Sequence, residues 1–284
     1  MNIRPINLDY TLGCGQVFRW RRHKDWWVGV VGARVIELKQ ENDFIEVRGD
    51  ADEYFLRQYF RADDHVERIY GDISKDDYIS NLVKRYRGLR LIRQDPWECS
   101  ASFVLATYAN IPRIEKMIEN LCMAFGKRID SYHYSFPTPE SIVGDETAVH
   151  RCGLGFRCNR FVQFARRVYD GSINFDELRE MEYEDCVRTL KKFEGVGDKV
   201  ADCIALFSLD QLEAFPIDVR IARAVRKHYG VEGNYKKVSK FCRSYFGVYA
   251  GYAQEFIYLS EAKSNTGLTF IDERVSQSTR GQMH

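Results

Sequence analysis

The hydrophobic period of this chain changes once, near residue 50, and that single change limits the folds open to it. Before it, residues 17–20, 26–31, 35–38 and 44–47 are rich in β-branched and aromatic side chains. They are broken by turn-like pairs and triplets such as Gly32-Ala33 and Glu41-Asn42-Asp43. Such a run reads as a small antiparallel sheet. From about Asp50 the apolar residues recur at helical spacing. Helices are predicted over 52–60, 76–86, 96–108, 111–125, 139–143, 160–169, 183–193, 199–208, 219–229, 236–246 and 250–262. The expected class is α+β: an N-terminal antiparallel-sheet domain over 1–90, a mostly helical region over 91–263, and a polar, weakly patterned tail over 264–284.

Length and composition narrow the options further. A chain of 284 residues, 45% hydrophobic and 14% aromatic, can bury one large or two fused cores and is not a disordered segment. Lys and Arg number 42 against 41 Asp and Glu, a net charge of +1, so any anion-binding footprint must be a local face. No secretion signal and no bilayer-length apolar run is visible, so an intracellular protein without a membrane partner is expected. The eight cysteines, Cys14, Cys99, Cys122, Cys152, Cys158, Cys186, Cys203 and Cys242, form no C-x-x-C pair. Zinc and iron–sulfur sites are therefore not expected, and buried free thiols are.

The most informative segment runs from Leu190 to Phe207 and resumes at Phe215-Pro216-Ile217-Asp218-Val219-Arg220. A helix ends near Phe193, Gly195 and Gly197 flank Val196, and a second helix opens near Lys199. Glycines around an apolar plug permit unusual backbone angles and close approach of a ligand. Free amides at the next helix start suit a phosphate. Alone, this pattern reads more readily as a plain turn. Its neighbours change the weighting. Lys199 lies in the first turn of an apolar helix, where the dipole and burial both disfavour its charged form and favour a nucleophilic amine. Cys203 follows one turn later on the same face. Asp218 reads as a helix N-cap whose carboxylate could also stabilise positive charge.

With these residues in place, the chain resembles the helix-hairpin-helix DNA glycosylases, and within them the 8-oxoguanine DNA glycosylases of eukaryotic type and their prokaryotic relatives. The matching stretches begin at Leu8-Asp9-Tyr10 and Gly15-Gln16-Val17-Phe18-Arg19-Trp20. They continue through Arg93-Gln94-Asp95-Pro96-Trp97, Asn110-Ile111-Pro112, Phe136-Pro137-Thr138-Pro139, Cys152-Gly153-Leu154-Gly155-Phe156-Arg157, the hairpin near 184–208, and Tyr249 to Gln254. The resemblance implies a bifunctional glycosylase and abasic-site lyase with no cofactor and no catalytic metal. Its partner would be duplex DNA containing 8-oxoguanine, bound by a monomer, in the cytoplasm of a prokaryote or the nucleus of a eukaryote.

The resemblance also implies roles. Lys199 would form a Schiff base and Asp218 would stabilise the developing sugar cation. Gly15 would offer a carbonyl to the N7 proton that distinguishes the lesion from guanine, although a turn glycine explains it equally well. Gln254 would read the Watson–Crick edge. Cys203 and Tyr258 would sandwich the flipped base, where spacing alone would make Tyr258 a core aromatic. Phe156 would be the wedge, and Arg113 and Arg157 would donate to the orphaned cytosine. Gly195, Gly197 and Arg220 would meet phosphate. Tyr108 stands where the family has an asparagine that fills the gap beside that cytosine, a departure that loosens the expected preference for the opposite base. Other readings are the same chemistry on another damaged base or on abasic sites, and a non-catalytic damage-binding protein.

Overall fold

The computed structural model describes residues 1–42 and 44–266, with side chains through Lys263. Asp43 of the expected turn and residues 267–284 of the expected tail lie outside the described residues. Four strands, β1 (Trp20–His23), β2 (Trp26–Val31), β3 (Arg34–Glu41) and β4 (Phe44–Gly49), form an antiparallel meander in sequence order. Leu38 pairs with Val47 and with Trp27 across β3. Alternation puts Ile36 and Leu38 fully inside. Their face packs on Leu8, Leu12, Leu56, Tyr59 and Phe60 to make the smaller of two cores.

The first strand begins at Trp20, not at Val17. Val17 is buried in the small core, whereas Phe18 is buried in the large one, edge-on to Phe103 with centroids 5.5 Å apart. A segment that serves two cores cannot also run in the sheet. Gln16 fixes it from within. Its side-chain amide donates to the carbonyls of Thr11 and Arg90, both at 2.9 Å, and its oxygen accepts from the Ile92 amide at 2.8 Å. A buried glutamine so fully satisfied locks the loop on either side.

The region after residue 50 is helical, as the spacing predicts, with additional short helices at Val66–Ile73, Glu146–Arg151 and Phe175–Glu180, and one more, Leu8–Leu12, precedes the sheet. Each spans only one to two turns, too little for a period to show. The helix expected over 96–108 stops at Leu105. Beyond it Tyr108 takes a left-handed φ of 52°, which ends a helix. The sequence places a domain boundary at residue 90. Side-chain packing instead groups Val66, Ile69, Tyr70, Ile79 and Leu82 with the larger, helical core. All eight cysteines are buried and free.

Candidate active site

The hairpin is built as its residues dictate. The helix Tyr183–Leu190 leads into the turn, Gly195 has φ 89°, and the helix Asp198–Ser208 starts with Gly197 at its N-cap. Val196 is buried beneath the turn. A Cβ on Gly195 would lie 3.2 Å from Arg160 and 3.4 Å from Val104, whereas one on Gly197 would meet nothing within 4 Å. The backbone at Gly197 is thus open, as an anion-binding amide needs to be.

Lys199 is half-buried in the first turn of that helix, its Nζ 5.2 Å from the centre of the Phe103 ring. Its charge is felt at the Cys203 thiol. Burial pushes that thiol up to about 12, against the pull of the Lys199 charge. Cys203 is therefore a neutral packing group beside the lysine. Behind both lies Asp202, buried, which accepts from the hydroxyls of Tyr183 at 2.6 Å and Tyr235 at 2.5 Å. Burial raises its carboxyl to about 6, with the two hydroxyls opposing. Tyr235 also accepts from the Ile217 amide at 3.3 Å. One tyrosine therefore ties the lysine helix to the Asp218 loop.

Asp218 caps the helix Val219–Tyr229, accepting from the Ile221 amide at 2.8 Å. It is the N-cap expected of it. The last helix, Ala250–Thr266, carries Gln254 and brings Tyr258 near Asp218 and Arg220. Gly251 permits this: a Cβ there would lie 2.1 Å from Leu206 and 3.0 Å from two backbone carbonyls. Any larger residue would push the helix off the hairpin. Gln254 is buried and its Oε1 has no hydrogen-bond partner.

Gly15 reaches the site from the other end of the chain. It has φ 90°, and a Cβ would meet Ile111 at 3.2 Å and the Tyr258 hydroxyl at 3.5 Å. The Arg220 guanidinium sits 5.9 Å over the Tyr258 ring, so the expected phosphate contact also lines the pocket. Burial pushes the Tyr258 hydroxyl far up, with Glu255 and Asp218 adding to the shift and Arg220 opposing it. Gly15, Lys199, Cys203, Asp218, Arg220 and Tyr258 thus come from four separate stretches.

The wedge and opposite-base residues form a second, adjoining group. Phe156 is 59% exposed with Arg157 stacked on it at 4.3 Å. Tyr108 is 91% exposed. Arg157 itself is buried and donates to the carbonyls of Thr107 at 2.7 Å and Tyr108 at 2.9 Å. Arg113 is exposed and donates to the Gly153 carbonyl at 2.6 Å. Both arginines therefore brace the loops that carry Tyr108 and Phe156. Ile111, against Gly15, joins this group to the pocket.

Two site residues escape sequence reasoning. Glu255, between Gln254 and the aromatic face, is buried and lies near Cys14, Lys199 and Asp218. Asp202 is the other. In each case the available signal is a lone carboxylate inside an apolar helix, which counts as exposed until the partner helix is known.

Known proteins resemble the chain over most of its length. The family model for the 8-oxoguanine DNA glycosylase N-terminal domain matches residues 1–99. The 8-oxoguanine glycosylase/lyase of Clostridium acetobutylicum, solved with duplex DNA containing cytosine opposite 8-oxoG, superposes with a TM-score of 0.87. It is 30% identical, over 92% of this chain and 93% of that one. The N-glycosylase/DNA lyase of Saccharomyces cerevisiae is 26% identical over 95% of this chain and 87% of its own. A 3-methyladenine DNA glycosylase from Archaeoglobus fulgidus, 20% identical with a TM-score of 0.75, shares the fold.

Proposed function

The chain belongs to the 8-oxoguanine DNA glycosylase family, and we propose that its two activities, base excision and strand cleavage, run through Lys199 and Asp218. It is a bifunctional DNA glycosylase and lyase that removes 8-oxoguanine from DNA. The observation that supports these site assignments is that Gly15 lies against Tyr258 while Tyr258, Arg220 and Asp218 stand together and Lys199 stands beside Cys203.

The chemistry follows from those groups. A base stacked in the duplex cannot reach Lys199, so the nucleotide is flipped out. Phe156 and Tyr108, exposed on braced loops, occupy the space it leaves. In the pocket the lesion stacks between Tyr258 and the Cys203 side. The Gly15 carbonyl accepts the proton that 8-oxoguanine, unlike guanine, carries at N7. The Gln254 side-chain oxygen takes a donor of the Watson–Crick edge. The Lys199 amine attacks C1′ as the glycosidic bond breaks, the base leaving with the bonding pair and then taking up a proton, with the Asp218 carboxylate stabilising the sugar cation. The new ammonium loses a proton and the sugar ring opens at O4′, which takes one up, to leave an imine. The resulting imine acidifies the C2′ proton, and its loss expels the 3′ phosphate by β-elimination. The open amide at Gly197 and the turn at Gly195 hold backbone phosphate. The enzyme acts as a monomer inside the cell, where its DNA lies. Among the described residues no helix is long and apolar enough to cross a membrane.

Borohydride reduction on duplex DNA carrying 8-oxoguanine tests the assignment. Wild-type protein is expected to cross-link. Lys199→Gln is expected to bind the duplex and give no adduct. A variant that still cuts at the wild-type rate would remove Lys199 from the mechanism, and a wild type that binds without cutting would leave only a damage-binding protein.

A further inference from the structure

Gln94 joins two elements that the reaction must hold in register. Its backbone amide donates to the Phe207 carbonyl at 2.9 Å. Phe207 lies in the last turn of the helix Asp198–Ser208 that carries Lys199, where carbonyls have no partner within the helix. The Gln94 side-chain amide donates to the Gln16 carbonyl at 2.7 Å, one residue beyond Gly15. A single residue therefore bridges the lysine helix and the loop from the start of the chain.

Gln94 is itself held in place. The Ile92 amide donates to Gln16 Oε1 at 2.8 Å, and Gln16 Nε2 donates to the Arg90 carbonyl at 2.9 Å, so residues 90–94 run beside Gln16. The Arg93 backbone amide donates to the Tyr59 carbonyl at 2.9 Å, in the smaller core. The Arg93 Nε donates to Asp210 at 3.1 Å, just past the end of the lysine helix. The segment is thus anchored to the small core on one side and to the lysine helix on the other.

The chemistry above makes this bridge matter. N7 of a flipped purine and C1′ of its sugar are a fixed covalent distance apart. The Gly15 carbonyl that meets the first and the Lys199 amine that meets the second must be held at a matching spacing. A misplacement of about 1 Å can cost on the order of 10²-fold in rate. Gly15 cannot hold its own carbonyl, because a glycine at φ 90° has no side chain to restrict the peptide that follows it. The Gln16 side chain ties the loop to residues 90 and 92, and Gln94 grips the Gln16 main chain directly.

We propose that Gln94 is a positioning residue that registers the lesion-reading carbonyl of Gly15 against the Lys199 helix. It therefore governs excision of the damaged base more than cleavage at a site that has no base. This inference rests on the Schiff-base and Gly15 readings above.

The test compares single-turnover excision from an 8-oxoguanine duplex with cleavage of a preformed abasic site in the same sequence. The proteins are wild type, Gln94→Met, Gly15→Ala, the double variant and Lys199→Gln. Gln94→Met keeps the side-chain length and removes the donor, while the backbone bond to Phe207 stays. Excision of 8-oxoguanine is expected to fall about tenfold, the factor an ordinary hydrogen bond is worth. Abasic-site cleavage and duplex affinity are expected to stay within about twofold of wild type. Because both residues act on one carbonyl, the double variant should lose less than the product of the two single losses. A Gln94→Met protein that excises at the wild-type rate would overturn the proposal. Equal losses on the two substrates would also overturn it, since a merely structural residue moves both, and so would losses that multiply in the double variant. Should Gln94→Met not fold, Gln94→Glu takes its place: it has the same shape, its carboxylate cannot donate to the Gln16 carbonyl, and the same split is expected. Gly15→Ala with full excision, or Lys199→Gln that still cuts, would instead refute the readings on which the inference rests.

Discussion

Arg157 holds Tyr108 from behind: its Nη2 donates to the Tyr108 carbonyl at 2.9 Å while the Tyr108 ring points away, 91% exposed. The same guanidinium donates to Thr107 and stacks on Phe156. One buried cation therefore sets both exposed aromatics that we propose face the gap left by a flipped base. An asparagine at position 108 would offer that gap a paired donor and acceptor. A tyrosine offers a stacking face, which tolerates any base. Excision is therefore expected opposite all four bases, with cytosine ahead by a modest margin. A good base contact is worth about 1–3 kcal/mol, so Tyr108→Asn should widen that margin by up to this amount. Single-turnover rates on four duplexes differing only in the opposite base decide it. Strict dependence on cytosine in the wild type would refute the loosening.

Asp218→Asn keeps an oxygen for the Ile221 amide and removes the charge. The helix cap survives, so the melting temperature should stay close to wild type. The excision rate should fall on the order of 10²-fold or more, as when a group that stabilises transition-state charge is removed. An unchanged single-turnover rate in a folded variant would reduce Asp218 to its capping role.

Glu255 also predicts how stability depends on pH. Burial raises its carboxyl from 4.5 to about 7 in the folded state. Between those values the unfolded chain releases the proton while the folded chain keeps it, so rising pH lowers stability across that window and no further above it. Glu255→Gln cannot ionise. Its stability relative to wild type should therefore grow from pH 4.5 to 7 and then level off, by about 1–3 kcal/mol. Denaturant melts at pH 4.5, 6 and 8 measure this. A difference that does not change with pH would show that the glutamate is not buried as an acid.

Gly15→Ala places a methyl group at φ 90°, 3.2 Å from Ile111 and beside the Tyr258 hydroxyl. The backbone strain costs about 1–2 kcal/mol. Relief of it must shift the loop whose carbonyl is proposed to meet N7. Excision of 8-oxoguanine should drop, while cleavage at a preformed abasic site, which presents no base, should be retained. Equal losses on both substrates would separate Gly15 from lesion reading.

Tyr235→Phe removes one hydroxyl from buried Asp202 and one acceptor from the Ile217 amide. Leaving buried polar groups unpaired costs about 1–3 kcal/mol. Because that hydroxyl links the lysine helix to the Asp218 loop, the rate should fall as well, with duplex affinity retained. A destabilised variant with full single-turnover rate would make the link purely structural.

What was legible in the sequence was whatever local chemistry dictates. The change of period announced a sheet followed by helices. The Gly195-Val196-Gly197 turn announced the hairpin, and Lys199 and Asp218 stood at helix starts where their backbone role is visible. Resemblance supplied roles for Gly15, Gln254 and Tyr258. It did not supply their contacts, because Gly15 meets Tyr258 only once the last helix has packed across Leu206 at Gly251. The start of β1, the grouping of residues 66–82 with the helical core and the bracing of Tyr108 by Arg157 were likewise settled by packing. Glu255 shows the limit most clearly. A carboxylate on a helix is a surface residue by every local rule, and only the helix packed against it decides that it faces Cys14 and Lys199 instead of water. Short-range pattern fixes what each segment wants to be, but burial is a property of the neighbours, and here the neighbours come from the far ends of the chain.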